Sequence, residues 1–307
     1  MAEIKQILCP VDLSELSRHA FDHARAIAAW YEARLTVLHV FNAPVLPPGT
    51  LTPLMPPVGV AETLPVPSPV ERDELLEEVR RFSGVTDARR DCRVDVVVAE
   101  GSPVREILRY AEQLPADLLV LGTHGRSGFE ALFLGSVTEK VLRSTHVPVL
   151  TVPPPVQRVG SVVYKTILCP IEFSDPSTRA LEYALTLAEE TGARLVLLHV
   201  VEQLVDAPEL PVANPFALLE YERYLEENAR ARLKAAVPEE ARLWCTPEER
   251  VAAGRARRVI LETAEREHAE IIVMGVHGKG ALHRRLFGST THHVIREARC
   301  PVLTLRG

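Results

Sequence analysis

The sequence predicts an α/β protein made of two tandem doubly wound domains, each a five-stranded parallel sheet with helices on both faces. Three observations predict it. The chain repeats itself: IKQILCPVDLSE (4–15) matches YKTILCPIEFSD (164–175), and ARLTVLHV (33–40) matches ARLVLLHV (193–200), both at an offset of 160. At an offset of 153, ADLLVLGTHG (116–125) matches AEIIVMGVHG (269–278), and HVPVLTV (146–152) matches RCPVLTL (299–305). Within each copy, short Val- and Leu-rich runs show little alternation, the pattern of strands covered on both faces. Amphipathic stretches of helical length separate those runs, and strand–helix–strand succession implies parallel crossovers.

The elements of the first copy follow in order. ILCPV is the opening strand, followed by a helical pattern at 14–32 and the strand LTVLHV. Residues 43–70 contain nine prolines and no helical period, which is long for a connection inside a domain. A helix is predicted at 71–83, and its acidic run ERDELLEEVRR (71–81) reads as a solvated face. After the strand VDVVVA, Ser102-Pro103 offers an N-cap and a first-turn proline for a helix at 103–114. DLLVLG, a helix at 137–144 and PVLTV complete the copy. The second copy repeats this order. The domains span 1–153 and 162–307, with residues 154–161 as the linker. The seven-residue change of offset falls in the segments after His39-Val40 and His199-Val200.

A chain of 307 residues suits two domains of about 150 each. Hydrophobic residues at 47% and charged residues at 25% are ordinary for a soluble globular protein. The formal charge of −6 supplies no basic footprint for nucleic acid or an anionic membrane. No apolar run reaches the length of a membrane span, and MAEIKQILCPVD lacks the layout of a signal peptide, so a cytoplasmic location is expected. Five cysteines form no CxxC pair or other metal spacing. Cys9 and Cys169 fall at matched places, as do Cys92 and Cys245, and they read as small buried apolar residues.

The chemistry concentrates in one repeated spacing. GTHGRSGFEALFLGS (122–136) and GVHGKGALHRRLFGS (275–289) both read G-x2-G-x9-G-S. Each begins at the carboxyl end of the fourth strand, where ligands of open α/β sheets bind. Glycines such as Gly122 and Gly125 can take positive φ and let backbone N–H groups approach an anion. Ser136 and Glu139 form an S-x-x-E capping-box pattern, so a helix is predicted to begin there with its free N–H groups facing the same crevice. The result is a phosphate cradle in each domain. Rival motifs are missing: there is no GxxxxGK[ST], no GxGxxG after the first strand, and no GxSxG.

ILCPVD, LHV, G-x2-G-x9-G-S and PVL together resemble the universal stress protein family, specifically its ATP-binding branch, in tandem form. The resemblance covers both halves except the Pro-rich segment and the linker. It implies a strand order of 3-2-1-4-5 and ATP held between the ends of the first and fourth strands. By that analogy Pro10, Val11, Asp12 and Val40 face adenine and ribose, with Asp12 accepting ribose hydroxyls. Leu121, Gly122, Gly125, Gly135, Ser136, Val137 and Thr138 line the ribose and phosphates. In the second copy the matching residues are Pro170, Ile171, Glu172, Val200, Met274, Gly275, Gly278, Gly288, Ser289, Thr290 and Thr291. Two departures weaken that copy: Glu172 replaces Asp12, and His292 stands where a capping glutamate would. Lys279, Arg284 and Arg285 add positive charge. The family's dimers pair their last strands, so PVLTV and PVLTL are expected to meet in an intramolecular pseudo-dimer. A further homodimer and a protein partner stay open.

His124, His277 and Arg126 sit inside the glycine turns and are candidate phosphate contacts, although a turn histidine bonding its own backbone is the commoner arrangement. His39 and His199 read as satisfied core histidines. Phosphoryl transfer needs a positioned metal and a group that orients the nucleophile. No carboxylate pair or lysine recurs near the glycine turns, so Mg²⁺ would ride on the ATP phosphates, assisted by Ser136 or Ser289. Nucleotide binding with little or no hydrolysis is the expected activity, coupled to a stress response. The alternatives are an interaction scaffold of the same fold without nucleotide, and a slow ATP hydrolase.

Overall fold

The computed structural model describes residues 4–41, 69–84, 93–123, 134–154, 164–202, 215–276 and 288–306. The first half contains strands β1 (Gln6–Val11), β2 (Arg34–Phe41), β3 (Val94–Glu100), β4 (Leu118–Gly122) and β5 (Val149–Val152). Helices α1 (Glu15–Trp30), α2 (Pro69–Ser83), α3 (Pro103–Gln113) and α4 (Ser136–Ser144) connect them. The second half repeats the plan with β6 (Thr166–Pro170), α5 (Asp175–Thr191), β7 (Arg194–Val201), α6 (Pro215–Ala236), β8 (Glu248–Ala253), α7 (Ala256–Arg266), β9 (Ile271–Gly275), α8 (Ser289–Glu297) and β10 (Val302–Leu305). A 3₁₀ turn at Glu240–Leu243 precedes β8.

All ten strands form one sheet in the order β3-β2-β1-β4-β5-β10-β9-β6-β7-β8. Each half has the order 3-2-1-4-5, and all pairings inside a half are parallel. Among the described residues the single antiparallel junction is β5 with β10, where Leu150 faces Leu303. Two buried threonines at equivalent places tie this junction. Thr151 donates to the Val302 carbonyl at 3.1 Å, and Thr304 donates to the Val149 carbonyl at 3.2 Å. Buried hydroxyls need partners, and a neighbouring strand supplies them here.

The absence of alternation in the strands has the expected cause: apolar residues are buried on both sides. One core cluster joins Ile7, Cys9 and Val37 to Phe21, Ala24 and Ile27 of α1, and the matching strand residues to α5. The other joins Leu8, Leu119 and Leu142 to α3, α4, α7 and α8. Phe21 is fully buried and contributes about 1.5–3 kcal/mol relative to exposure. In α2 the residues at 72–74, 77, 78, 80 and 81 are exposed while Val79 is buried, so the acidic run is a wet face. Ser102 occupies the N-cap position of α3, but its side chain makes no capping bond. Cys9, Cys169 and Cys245 are buried free thiols, and burial pushes each thiol upward from its ordinary pKa. Cys92, residues 155–161 of the linker and most of the Pro-rich segment lie outside the described residues.

Candidate functional site

Strand order reverses between β1 and β4 in the first half and between β6 and β9 in the second. The carboxyl ends of each pair flank a crevice, the place where open α/β sheets take ligands.

One side of each crevice is acidic. Asp12 follows β1, and its Oδ1 accepts the Ser14 N–H at 3.1 Å and the Ser14 hydroxyl at 2.5 Å. Ser14 is also the N-cap of α1, accepting the Ser17 N–H at 3.2 Å. In the second half Glu172 accepts the Ser174 hydroxyl at 2.8 Å, but the Ser174 N–H goes to the Ser177 hydroxyl at 3.0 Å. The extra methylene thus changes how the carboxylate is held. Between carboxylate and cap sit Leu13 at φ 66° and Phe173 at φ 60°. A non-glycine residue in the left-handed region costs on the order of 1–3 kcal/mol, and such strain gathers at functional turns. Nothing in the sequence marked either residue.

A histidine steadies the same turn. The His39 ring donates through Nδ1 to the Val11 carbonyl at 2.8 Å, and His199 donates to the Ile171 carbonyl at 2.6 Å. The repeated LHV was the available signal, and it reads as a clamp on the strand that carries the carboxylate. Phe173 packs 4.7 Å from the His199 ring, and the Arg232 guanidinium lies 3.9 Å over the Phe173 ring.

The other side of each crevice is backbone. Thr138 donates to the Gly122 carbonyl at 2.8 Å, and Thr291 donates to the Gly275 carbonyl at 3.0 Å. The Gly135 N–H reaches the Thr123 carbonyl at 2.8 Å, and the Gly288 N–H reaches Val276 at 3.0 Å. These bonds fix the start of α4 and α8 against the ends of β4 and β9. They also correct the capping expectation. Gly135 is the N-cap, Ser136 is the first helical residue, and no side chain caps the helix. Glu139 pairs with Arg143 at 2.7 Å instead. Gly288 and Ser289 repeat the arrangement, so the two halves do not differ in capping. Exposed Ser136 and Ser289 each open a helix whose glycine N-cap supplies no side-chain acceptor to the first-turn N–H groups.

Gly275 and Gly288 are needed for space rather than for positive φ. Among the described glycines, positive φ occurs at Gly84, Gly101, Gly192 and Gly254, not at Gly122, Gly135, Gly275 or Gly288. A Cβ on Gly275 would lie 2.7 Å from the Pro176 carbonyl carbon, and one on Gly288 would lie 2.9 Å from the Val276 oxygen.

The expected contact residues therefore divide. Asp12, Pro10, Val40, Gly122, Gly135, Ser136 and Val137 are at least partly accessible, as are Glu172, Val200, Gly275, Gly288, Ser289 and Thr290. Val11, Leu121, Pro170, Ile171 and Met274 are buried, so only their backbone can border a ligand. Thr138 and Thr291 are buried, with hydroxyls committed to the strand ends. His124, Gly125, Arg126, His277, Gly278, Lys279, Arg284 and Arg285 lie outside the described residues. Among the described residues, no group of three or more His, Cys, Asp or Glu could hold a metal.

The universal stress protein family model matches residues 3–153 and 163–306. The chain belongs to the universal stress protein family. A universal stress protein of Methanocaldococcus jannaschii is 32% identical over 153 residues, covering 49% of this chain and 83% of its own length. A universal stress protein of Mycobacterium tuberculosis is 28% identical over 283 residues, covering 91% of this chain and 89% of its own. The solved universal stress protein of Archaeoglobus fulgidus matches with a TM-score of 0.65 and 25% identity, covering 98% of both chains. Among the described residues of this universal stress protein, no helix is long and apolar enough to cross a membrane.

Proposed function

We propose that this universal stress protein binds ATP in both halves, more tightly in the first, and relays nucleotide occupancy to a protein partner in a cytoplasmic stress response. One observation carries the reading. Across each switch point, a carboxylate held by a serine stands opposite a helix start whose N-cap is a glycine and supplies no side-chain acceptor. Hydroxyl donors of a ribose suit the carboxylate, and phosphate suits the helix start, where several N–H donors converge. Asp12, Pro10 and Val40 hold the nucleoside, while Gly122, Gly135, Ser136 and the segment with His124, Gly125 and Arg126 hold the phosphates. Glu172, Val200, Gly275, Ser289, Thr290 and the segment with His277 and Gly278 do so in the second half. Mg²⁺ is carried on the phosphates. Binding is the activity in this reading, with hydrolysis slow at most.

The test is a calorimetric titration of ATP with Mg²⁺ into nucleotide-stripped protein. Stoichiometry near two is expected, falling to one in Gly125→Val and in Gly278→Val. Micromolar affinity corresponds to about −8 kcal/mol per site. No heat and no thermal shift would reduce the chain to a scaffold.

A further inference from the structure

The antiparallel β5–β10 seam lets a residue of the second half reach the helix that opens the first half's crevice. Thr304 faces Val149 across the seam. Two residues further on, Arg306 therefore comes level with Val147, in the short link between α4 and β5. There its guanidinium Nη1 donates to the Thr145 carbonyl at 3.1 Å. Thr145 is the buried C-cap residue of α4, and its own N–H is bonded back to the Val141 carbonyl at 2.8 Å. The backbone of Arg306 is held in turn, because its carbonyl accepts from Arg179 of α5 at 3.4 Å. The seam itself does not need this bond, since Thr151 and Thr304 already tie the two strands.

The last carbonyls of a helix have no partner within it, and they carry the negative end of its dipole. A guanidinium there satisfies one of them and sets a cation at that end. The opposite end of α4 is tied to the end of β4 by the Thr138 hydroxyl and the Gly135 N–H. Buried Val141 and Leu142 hold the inner face on the core, but apolar contact is non-directional. A nine-residue helix about 14 Å long, tied only at its start, can pivot on that attachment. With Arg306 at the far end both ends are fixed, and so is the direction in which the first-turn N–H groups point.

The tie is one-sided. The repeat offset of 153 sets Pro153 at the place of Arg306, and Ala298 at the place of Thr145. The seam register brings Pro153 level with Cys300, in the link between α8 and β10. A proline has neither a cation nor an N–H to give, so the first half does not return the bond to α8 from that place.

We propose that Arg306 is a positioning residue for the first nucleotide site: from the second half, it holds α4 so that the N–H groups of its first turn meet a phosphate. The assignment rests on the nucleotide reading and adds an asymmetry to it. The first site leans on the second half, and the second site has no equivalent support.

The experiment uses the full chain carrying Gly278→Val, which leaves the first site alone to be titrated. ATP with Mg²⁺ and, separately, adenosine are titrated into this protein with Arg306 intact, with Arg306→Met and with Arg306→Lys. Methionine keeps the apolar stem and removes the charge and the donors, whereas lysine restores a cationic donor. ATP affinity is expected to fall about 3- to 10-fold in Arg306→Met, the worth of one hydrogen bond, and to recover in large part in Arg306→Lys. Adenosine, which has no phosphate, should bind all three proteins equally. A residue that only fastens the seam would weaken both ligands alike, and that result would overturn the assignment. So would an ATP affinity indifferent to Arg306. Arg306→Gln, too short to reach Thr145, takes the place of Arg306→Met if the latter does not fold. Failure of ATP to bind with Arg306 in place would sink the nucleotide reading itself, whereas binding that ignores Arg306 sinks this assignment alone.

Discussion

Gly275 joins the two sides of the second crevice, and Gly275→Ala tests that join. The added methyl would meet three atoms of Pro176, at 2.7, 2.8 and 2.9 Å, two of them backbone. Pro176 lies in the first turn of α5, and Ser174, which caps that turn, holds Glu172. Neither side can yield cheaply. The proline ring is rigid, and Gly275 is fixed in register with Leu305 and through the Thr291 hydroxyl. Overpacking of a dense interior costs typically about 1–3 kcal/mol, and contact with backbone places this case near the upper end. Alanine recovers roughly 0.4–1 kcal/mol by restricting the unfolded chain. The net expectation is a loss of about 2 kcal/mol, or a fall of about 4–8 °C in melting temperature for a domain of this size. Differential scanning calorimetry of the full chain measures it, and an ATP titration on the same sample should lose the second site while keeping the first. An unchanged melting temperature together with two intact sites would refute the reasoning, because α5 would then move aside without consequence.

Three further outcomes follow from the same structure. Glu172→Asp should let the second carboxylate accept both Ser174 groups, as Asp12 accepts both Ser14 groups, and tighten second-site ATP binding by about tenfold; calorimetry decides. Tyr164→Phe should raise stability by about 1 kcal/mol in chemical denaturation, since it removes a buried hydroxyl without a partner. His23 is lowered by burial to about 4, with His19 and Asp22 as the neighbouring titratable groups. Below about pH 6.5 the unfolded chain takes up a proton that folded His23 refuses, so stability falls toward pH 4, by about 2 kcal/mol between pH 7 and 5. His23→Leu should flatten that part of a stability–pH profile.

The strands and most helix limits were legible because burial on both faces writes itself as unbroken Val and Leu. The helix read at 14–32 is found at Glu15–Trp30, and that read at 103–114 at Pro103–Gln113. The repeated glycine spacing located both crevices, yet its reason was only half legible. Sequence suggests left-handed backbone for a glycine, whereas Gly275 is needed because a distant proline packs against it. The S-x-x-E pattern misled for a similar reason. Gly135 is anchored to the Thr123 carbonyl, which makes it the N-cap and moves Ser136 inside the helix. Leu13 and Phe173 carried no signal at all, because bulky apolar residues seldom adopt positive φ. The strain there is imposed by the surrounding turn, which only the assembled strand, cap and histidine define.

The antiparallel junction decides how the sites can communicate. Every strand of the first half runs opposite to every strand of the second, since β5 and β10 are antiparallel and all other pairs are parallel. The two crevices therefore open at opposite edges of the sheet, and nucleotides bound as proposed would not touch. Any coupling has to pass through the molecule. The available route is physical: Asp12 is held by the cap of α1, the far end of α1 lies beside Leu150 and Leu303 at the β5–β10 seam, and α5 repeats this from Glu172. Tyr31 on one helix end and Glu190 on the other are already hydrogen-bonded across the seam. A tilt of either helix that opened its N-terminal turn toward ribose would have to change that contact. Tyr31→Phe is thus expected to leave the affinity of each isolated site unchanged while altering the dependence of the second on the first. Sequential binding isotherms measure that difference, and identical isotherms in both proteins would show that the helices do not carry the coupling.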